Sequence, residues 1–110
     1  MSKSDARAVF AARLKQARLA AGLTQESLGI QAGIPADVAR TRVNRYERAV
    51  HDADQSTAQK IAEALGVPLA SLYAESEVMA RAIKAFAALS PAEQRRVVTE
   101  LEAQAESRFK

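Results

Sequence analysis

The chain has 110 residues, enough for one small domain with a short appendage, and 48% of them are hydrophobic, which allows a core. Cysteine is absent, which excludes disulfides and thiolate metal sites; no apolar run reaches the length of a membrane span and no hydrophobic signal segment leads the chain, so a cytoplasmic protein is expected. A formal charge of +3, from 16 Lys and Arg against 13 acids, is too small an excess to name a partner by itself.

The apolar set is rich in Ala and Leu and includes only 3 Phe and 2 Tyr, a composition that suits closely packed helices and predicts an all-α fold. Residues 1–6 are polar and expected to fray. Val9, Phe10, Leu14, Ala17, Arg18 and Ala21 recur at helical spacing, so a first helix is predicted from about Ala8 to Ala21, ended by Gly22. Thr24 is placed to cap a second helix opened by Gln25, with Leu28 facing the core. Gly29 in its interior costs about 1 kcal/mol against Ala, a penalty that close approach of a neighbouring helix would justify.

Gly33 breaks the pattern, and Pro35 suits the first turn of a third helix. Within it Ala36, Ala39, Val43 and Tyr46 share one stripe, whereas Asp37, Arg40, Thr41, Asn44, Arg45 and Arg48 fall largely outside. A polar loop covers Val50–Gln55. Ser56 or Thr57 then starts a helix through Ile61, Ala62 and Leu65 that stops at Gly66, and a short helix over Pro68–Leu72 closes a unit near Tyr73. Glu77–Ala88 presents Met79, Ile83 and Phe86 on a further helix. Ser90-Pro91-Ala92-Glu93 combines an N-cap, a proline at the first helical position and a glutamate three residues on, starting a last helix with Val97, Val98, Leu101 and Ala105. The expected division is 1–74 and 75–110.

Charge is unevenly spread along these elements. Gln31 to Val50 holds four arginines against Asp37 and Glu47, while Glu75 to Glu106 is mixed to acidic. A positive face of this kind steers toward phosphate even when the whole protein is near neutral, and an arginine-bearing helix held by a partner helix can lie in the major groove of duplex DNA. The plain alternative is a solvated helix face. Enzymatic readings find little support: His51, the single histidine, sits in an HDAD run whose spacing fits no specific metal site. No phosphate-cradling glycine loop or nucleophile arrangement is present. No catalytic residue, metal or cofactor is expected.

The fragments RLKQARLAAGLTQESLG, AGI, VNRYERA and AQKIAEALGVPLASLY, in this order between Val9 and Tyr73, resemble the phage-repressor-like helix-turn-helix family, the Cro/C1 or XRE type. The resemblance implies a five-helix lambda-repressor-like DNA-binding domain, with one or two C-terminal helices added here. It implies a transcriptional regulator of the repressor kind, a homodimer on a palindromic operator in double-stranded DNA. Gln25 matches a position that contacts a phosphate and can support the recognition helix. Gly29 matches the small residue where the two helices cross, and Gly33 matches the turn glycine. Val43 and Tyr46 match the core side of the third helix, and Arg48 a backbone-contacting position. Arg18 and Glu47 match a buried charge pair.

One departure is large: the family interval from turn glycine to tyrosine is four residues shorter than Gly33 to Tyr46. The extra residues either add a turn to the front of the recognition helix or lengthen the loop before it. Alignment backward from Tyr46, the preferred one, places Arg40, Thr41, Asn44 and Arg45 at base-facing positions. Alignment forward from Gly33 offers Pro35, Ala36 and Asp37, a poor set for bases and phosphates. Arg40 and Arg45 suit guanine and Asn44 adenine, while Gln25, Arg42 and Arg48 are assigned to phosphate. Two milder departures put Ala49 where glycine is frequent and Ala53 where proline is frequent. Met79, Ile83, Phe86, Val97 and Leu101 are assigned to dimerisation. The rival reading is an antitoxin that binds a toxin and represses its own operon.

Overall fold

Helix α1 of the computed structural model, which describes residues 3–108, runs from Lys3 to Ala20. It starts ahead of the predicted Ala8, so most of the stretch expected to fray is helical, and residues 1 and 2 lie outside the described residues. Phe10, Leu14 and Arg18 are buried along one face. The helix stops where Gly22 takes φ +71°, with the Leu23 amide bonded back to the Arg18 carbonyl at 3.2 Å.

The second helix, α2 (Gln25–Gln31), begins with a reciprocal cap. The Ser27 amide donates to Thr24 Oγ1 at 3.0 Å, and the Thr24 amide donates to Ser27 Oγ at 3.2 Å. Gly33, at φ +85°, turns the chain into α3 (Ala36–Glu47). Pro35, expected inside the first turn, is instead the residue before it, at φ −54° and ψ 138°, and supplies no side-chain cap. Ala39, Val43 and Tyr46 of α3 are buried, whereas Ala36 of the predicted stripe is exposed.

Asp54, not Ser56 or Thr57, caps α4 (Gln55–Leu65), which ends in the left-handed Gly66 at φ +69°. A 3-10 turn over Leu69–Tyr73 takes the place of the fifth helix. Beyond it lie α5 (Glu77–Ala87) and α6 (Pro91–Arg108). The predicted start of α6 forms as a full capping box, with Ser90 and Glu93 exchanging bonds of 2.9 and 3.2 Å.

The fold is all-α, with no strand among the described residues. One core cluster joins Phe10 and Leu14 of α1, Leu28 of α2, Ala39, Val43 and Tyr46 of α3, Ile61 of α4 and Leu72 of the 3-10 turn. Leu14, Leu28, Ile61 and Leu72 are each at most 1% exposed, and each contributes on the order of 1.5–3 kcal/mol by leaving water. The last two helices are different. α5 buries only Ala80, and α6 buries nothing along its 18 residues. The molecule measures 55 × 31 × 22 Å along its principal axes. No helix of the described residues is long and apolar enough to cross a membrane.

The end of α3 holds one backbone oddity. Ala49 sits at φ +59°, in the left-handed region, while the Val50 amide bonds back to the Arg45 carbonyl at 3.0 Å. The geometry is a helix stop that glycine adopts without a Cβ penalty. Ala49→Gly is therefore expected to stabilise the protein by about 0.5–1 kcal/mol. Chemical denaturation of the two proteins side by side would check it; a loss of stability would show that the alanine is not strained there.

Candidate nucleic-acid interface

The position of α3 is set from both ends. Near its front it meets α2 at an unusually close crossing: a Cβ built on Gly29 would lie 2.7 Å from Ala39 Cβ and 3.0 Å from the Ala39 carbonyl oxygen. Any side chain at position 29 would push the two backbones apart. At its other end Glu47 is clamped. Arg18 of α1 donates from Nε to Glu47 Oε2 at 2.5 Å and from Nη2 to Oε1 at 3.1 Å, a bidentate pair, and from Nη1 to the Leu23 carbonyl at 2.9 Å. Gln25, at the start of α2, adds a bond from Nε2 to Glu47 Oε1 at 3.1 Å. The side chains of Arg18 and Glu47 are only 10% and 3% exposed. Three helices are thus joined through one carboxylate, and among the described residues no buried side-chain polar atom lacks a partner.

Held this way, α3 turns its polar side outward. Arg40, Thr41, Arg42, Arg45 and Arg48 are exposed and Asn44 is half-buried. Arg40, Asn44 and Arg48, spaced by four residues, line a cleft between α3 and the junction of α1 with α2, together with Lys15, Thr24 and Gln25. Thr41 and Arg45 lie further round the helix. Arg42 is on the other flank, near the start of α4, where it contributes to holding the Asp54 carboxyl below its usual range; the larger causes are the backbone and side-chain hydrogen bonds from Thr57. Neither the three arginines of α3, Arg40, Arg42 and Arg45, nor Arg48 directly after it is bonded to a carboxylate among the described residues. Their charge is directed at solvent.

The structure therefore brings Gln25, Arg40, Asn44 and Arg48 to one concave surface, and sets Thr41 and Arg45 beside it and Arg42 apart. Gln25 is engaged with Glu47 through its amide nitrogen. Lys15 joins the basic lining although the sequence reading passed over it; its spacing of three residues before Arg18 on α1 was the available signal. Between Gly33 and α3 stand only Ile34 and Pro35, and the stretch from Ala36 to Tyr46 is helical.

A second surface is apolar. Ala82, Ile83 and Phe86 of α5 and Val98 and Leu101 of α6 line a groove without a polar lining atom. Leu101 is 55% exposed and Met79 54%. Met79 borders a neighbouring depression with Tyr73 and Ile83, and Val98 rather than Val97 lines the groove itself. Phe109 lies outside the described residues. His51 is exposed, and the described residues contain no group of three or more His, Cys, Asp or Glu that could hold a metal ion.

Residues 14–72 match the family described as helix-turn-helix, a stretch that holds α2, α3, the clamp and most of the core. Among solved structures, the chain is similar to that of the transcriptional regulator BswR. The two share 33% sequence identity, with a TM-score of 0.74, over 84% of this chain and 92% of that one. No match is found among curated proteins.

Proposed function

The chain belongs to the helix-turn-helix family, of the Cro/C1 type, which comprises DNA-binding transcriptional regulators, and on that basis we propose that it represses transcription as a homodimer on a palindromic operator. The observation that carries this reading is the outward basic row of α3, unpaired with acid and clamped through Glu47. The recognition helix enters the major groove. Arg40 and Arg45 address guanine O6 and N7, and Asn44 and Thr41 address neighbouring bases. Arg42, Arg48 and Gln25 address the phosphates that flank the groove, and Lys15 extends that positive rim. The added length between Gly33 and Tyr46 is a helical turn, which lengthens the reading face without loosening it.

Two copies are required because one helix reads only a few base pairs. The groove of Ile83, Phe86 and Leu101, with the uncovered length of α6, supports pairing of two C-terminal extensions about a two-fold axis. The same apolar groove also supports the second reading, an antitoxin whose C-terminal helices receive a toxin. Mass measurement in solution separates the two: a dimer at micromolar concentration favours the homodimeric regulator, and a monomer leaves the groove to a different protein.

Selection of DNA sites from a random pool tests the proposal directly. A palindrome with half-sites one helical turn apart is expected, bound with a steep salt dependence. Arg45→Ala should weaken binding to that site and leave the melting temperature unchanged, since Arg45 makes no contact that supports the fold. An enriched pool without symmetry or shared sequence would sink the operator reading.

A further inference from the structure

We infer that Asp37 is a base-reading residue, whose carboxylate accepts a hydrogen bond from the exocyclic amine of a cytosine in the major groove and so fixes part of the operator sequence. The inference rests on the DNA-reading role of α3 proposed above. Asp37 falls in the first turn of α3, directly after Pro35 and Ala36. This turn is not a loose end, because α2 backs onto Ala39 at the Gly29 crossing two residues further on. Positions 37, 41, 44 and 48 follow one another at helical spacing along a single face. Asp37, Thr41 and Arg48 of that row are exposed and Asn44 is half-buried. The acid therefore stands in line with the basic and amide side chains rather than on a separate surface.

Its carboxylate is bonded to no other described residue, so it is available to a ligand. Carboxylate oxygens only accept hydrogen bonds, and duplex DNA presents two kinds of amine donor in its major groove, cytosine N4 and adenine N6. In helix-turn-helix docking the N-terminal residues of the recognition helix are those that reach base edges. Phosphate repels an acid, which makes the leading tip of the helix, over the bases, the position where an acid is tolerated. Arg40, one turn on, is suited to guanine O6 and N7. The neighbouring acid and arginine together match the donor and acceptors of C·G pairs, and cytosine is preferred to adenine for that reason. An acid in the first turn of a helix also offsets the dipole of that end, a purely structural effect that leaves base preference untouched.

Site selection with the full chain and with Asp37→Ala and Asp37→Asn distinguishes the two. Wild type is expected to enrich cytosine at one position of each half-site, about 5- to 100-fold over the other bases. Asp37→Ala should lose preference at that position alone, and Asp37→Asn should move it to adenine. Identical base preferences in all three proteins would overturn the inference, whatever happens to their melting temperatures. If wild type enriches no motif at all, the proposed operator reading fails and this assignment with it. An enriched motif unaffected at every position by the two substitutions removes Asp37 only.

Discussion

Glu47→Ala is expected to lower the free energy of unfolding by about 3–5 kcal/mol, the usual cost of leaving a buried charge without its partner. Arg18, whose side chain is 10% exposed, would keep its guanidinium in place with only the Leu23 carbonyl to receive it, and Gln25 would lose its acceptor. A domain of this size has a total stability on the order of 5–15 kcal/mol, so the variant should melt far below wild type or fail to fold at 37 °C. DNA affinity should fall with it, because the clamp also fixes the angle of α3. The double variant Arg18→Met with Glu47→Leu, which removes both charges, should recover much of the lost stability. Denaturation of the single and double variants would check both statements. Equal melting temperatures for wild type and Glu47→Ala would dispose of the clamp.

Leu101→Asp should have a comparable effect on binding and almost none on the fold of the DNA-binding part. Leu101 is 55% exposed and lies outside the core cluster that runs from Phe10 to Leu72, so a carboxylate there disturbs no packing within the chain. In the groove with Ile83, Phe86 and Val98 the proposed dimer would bury it against a second copy, where an unpaired charge is strongly unfavourable. The expected result is a monomer with an unchanged helix-turn-helix unit. Tethering of two reading helices raises affinity by roughly 10²–10⁴-fold over one, and the variant should lose about that much on a palindromic site while binding a half-site as wild type does at low concentration. Mass in solution and binding to whole and half sites give the measurements. A Leu101→Asp dimer with full operator affinity would move the interface elsewhere.

The order of helices is legible in the sequence because several boundaries carry a local chemical signal. Gly22, Gly33 and Gly66 all take positive φ at turns, and the capping box of Ser90 and Glu93 marks the start of α6. The start of α1 was not legible, because Lys3 to Ala8 contains no residue that forbids a helix and its polarity read as disorder. The pairing of Arg18 with Glu47 came from the family resemblance; no periodicity connects positions 29 residues apart in sequence.

Rotational placement was the harder part. Successive residues of a helix are separated by about 100°, so Val97 and Val98 look alike in composition but only Val98 lines the groove with Leu101. Arg42 and Arg48 look equivalent in the sequence, but Arg42 stands on the flank near Asp54 and Arg48 lines the cleft. The place of Asp37 is not legible in the sequence, because an acid argues against phosphate and only the start of α3 at Ala36 puts it in the leading turn.

The 2.7 Å that separates a hypothetical Cβ at position 29 from Ala39 has a practical corollary for altering which genes such a protein controls. Two backbones pressed this closely cannot roll or slide against each other without collision, so on the proposed reading new preferences are to be written by exchanging letters at 37, 40, 41, 44 and 45 on an unmoving carrier. Glycine at 29 and alanine at 39 serve as the fixed pin of that carrier, and a library that varies them along with the outer row would spend most of its members on broken scaffolds.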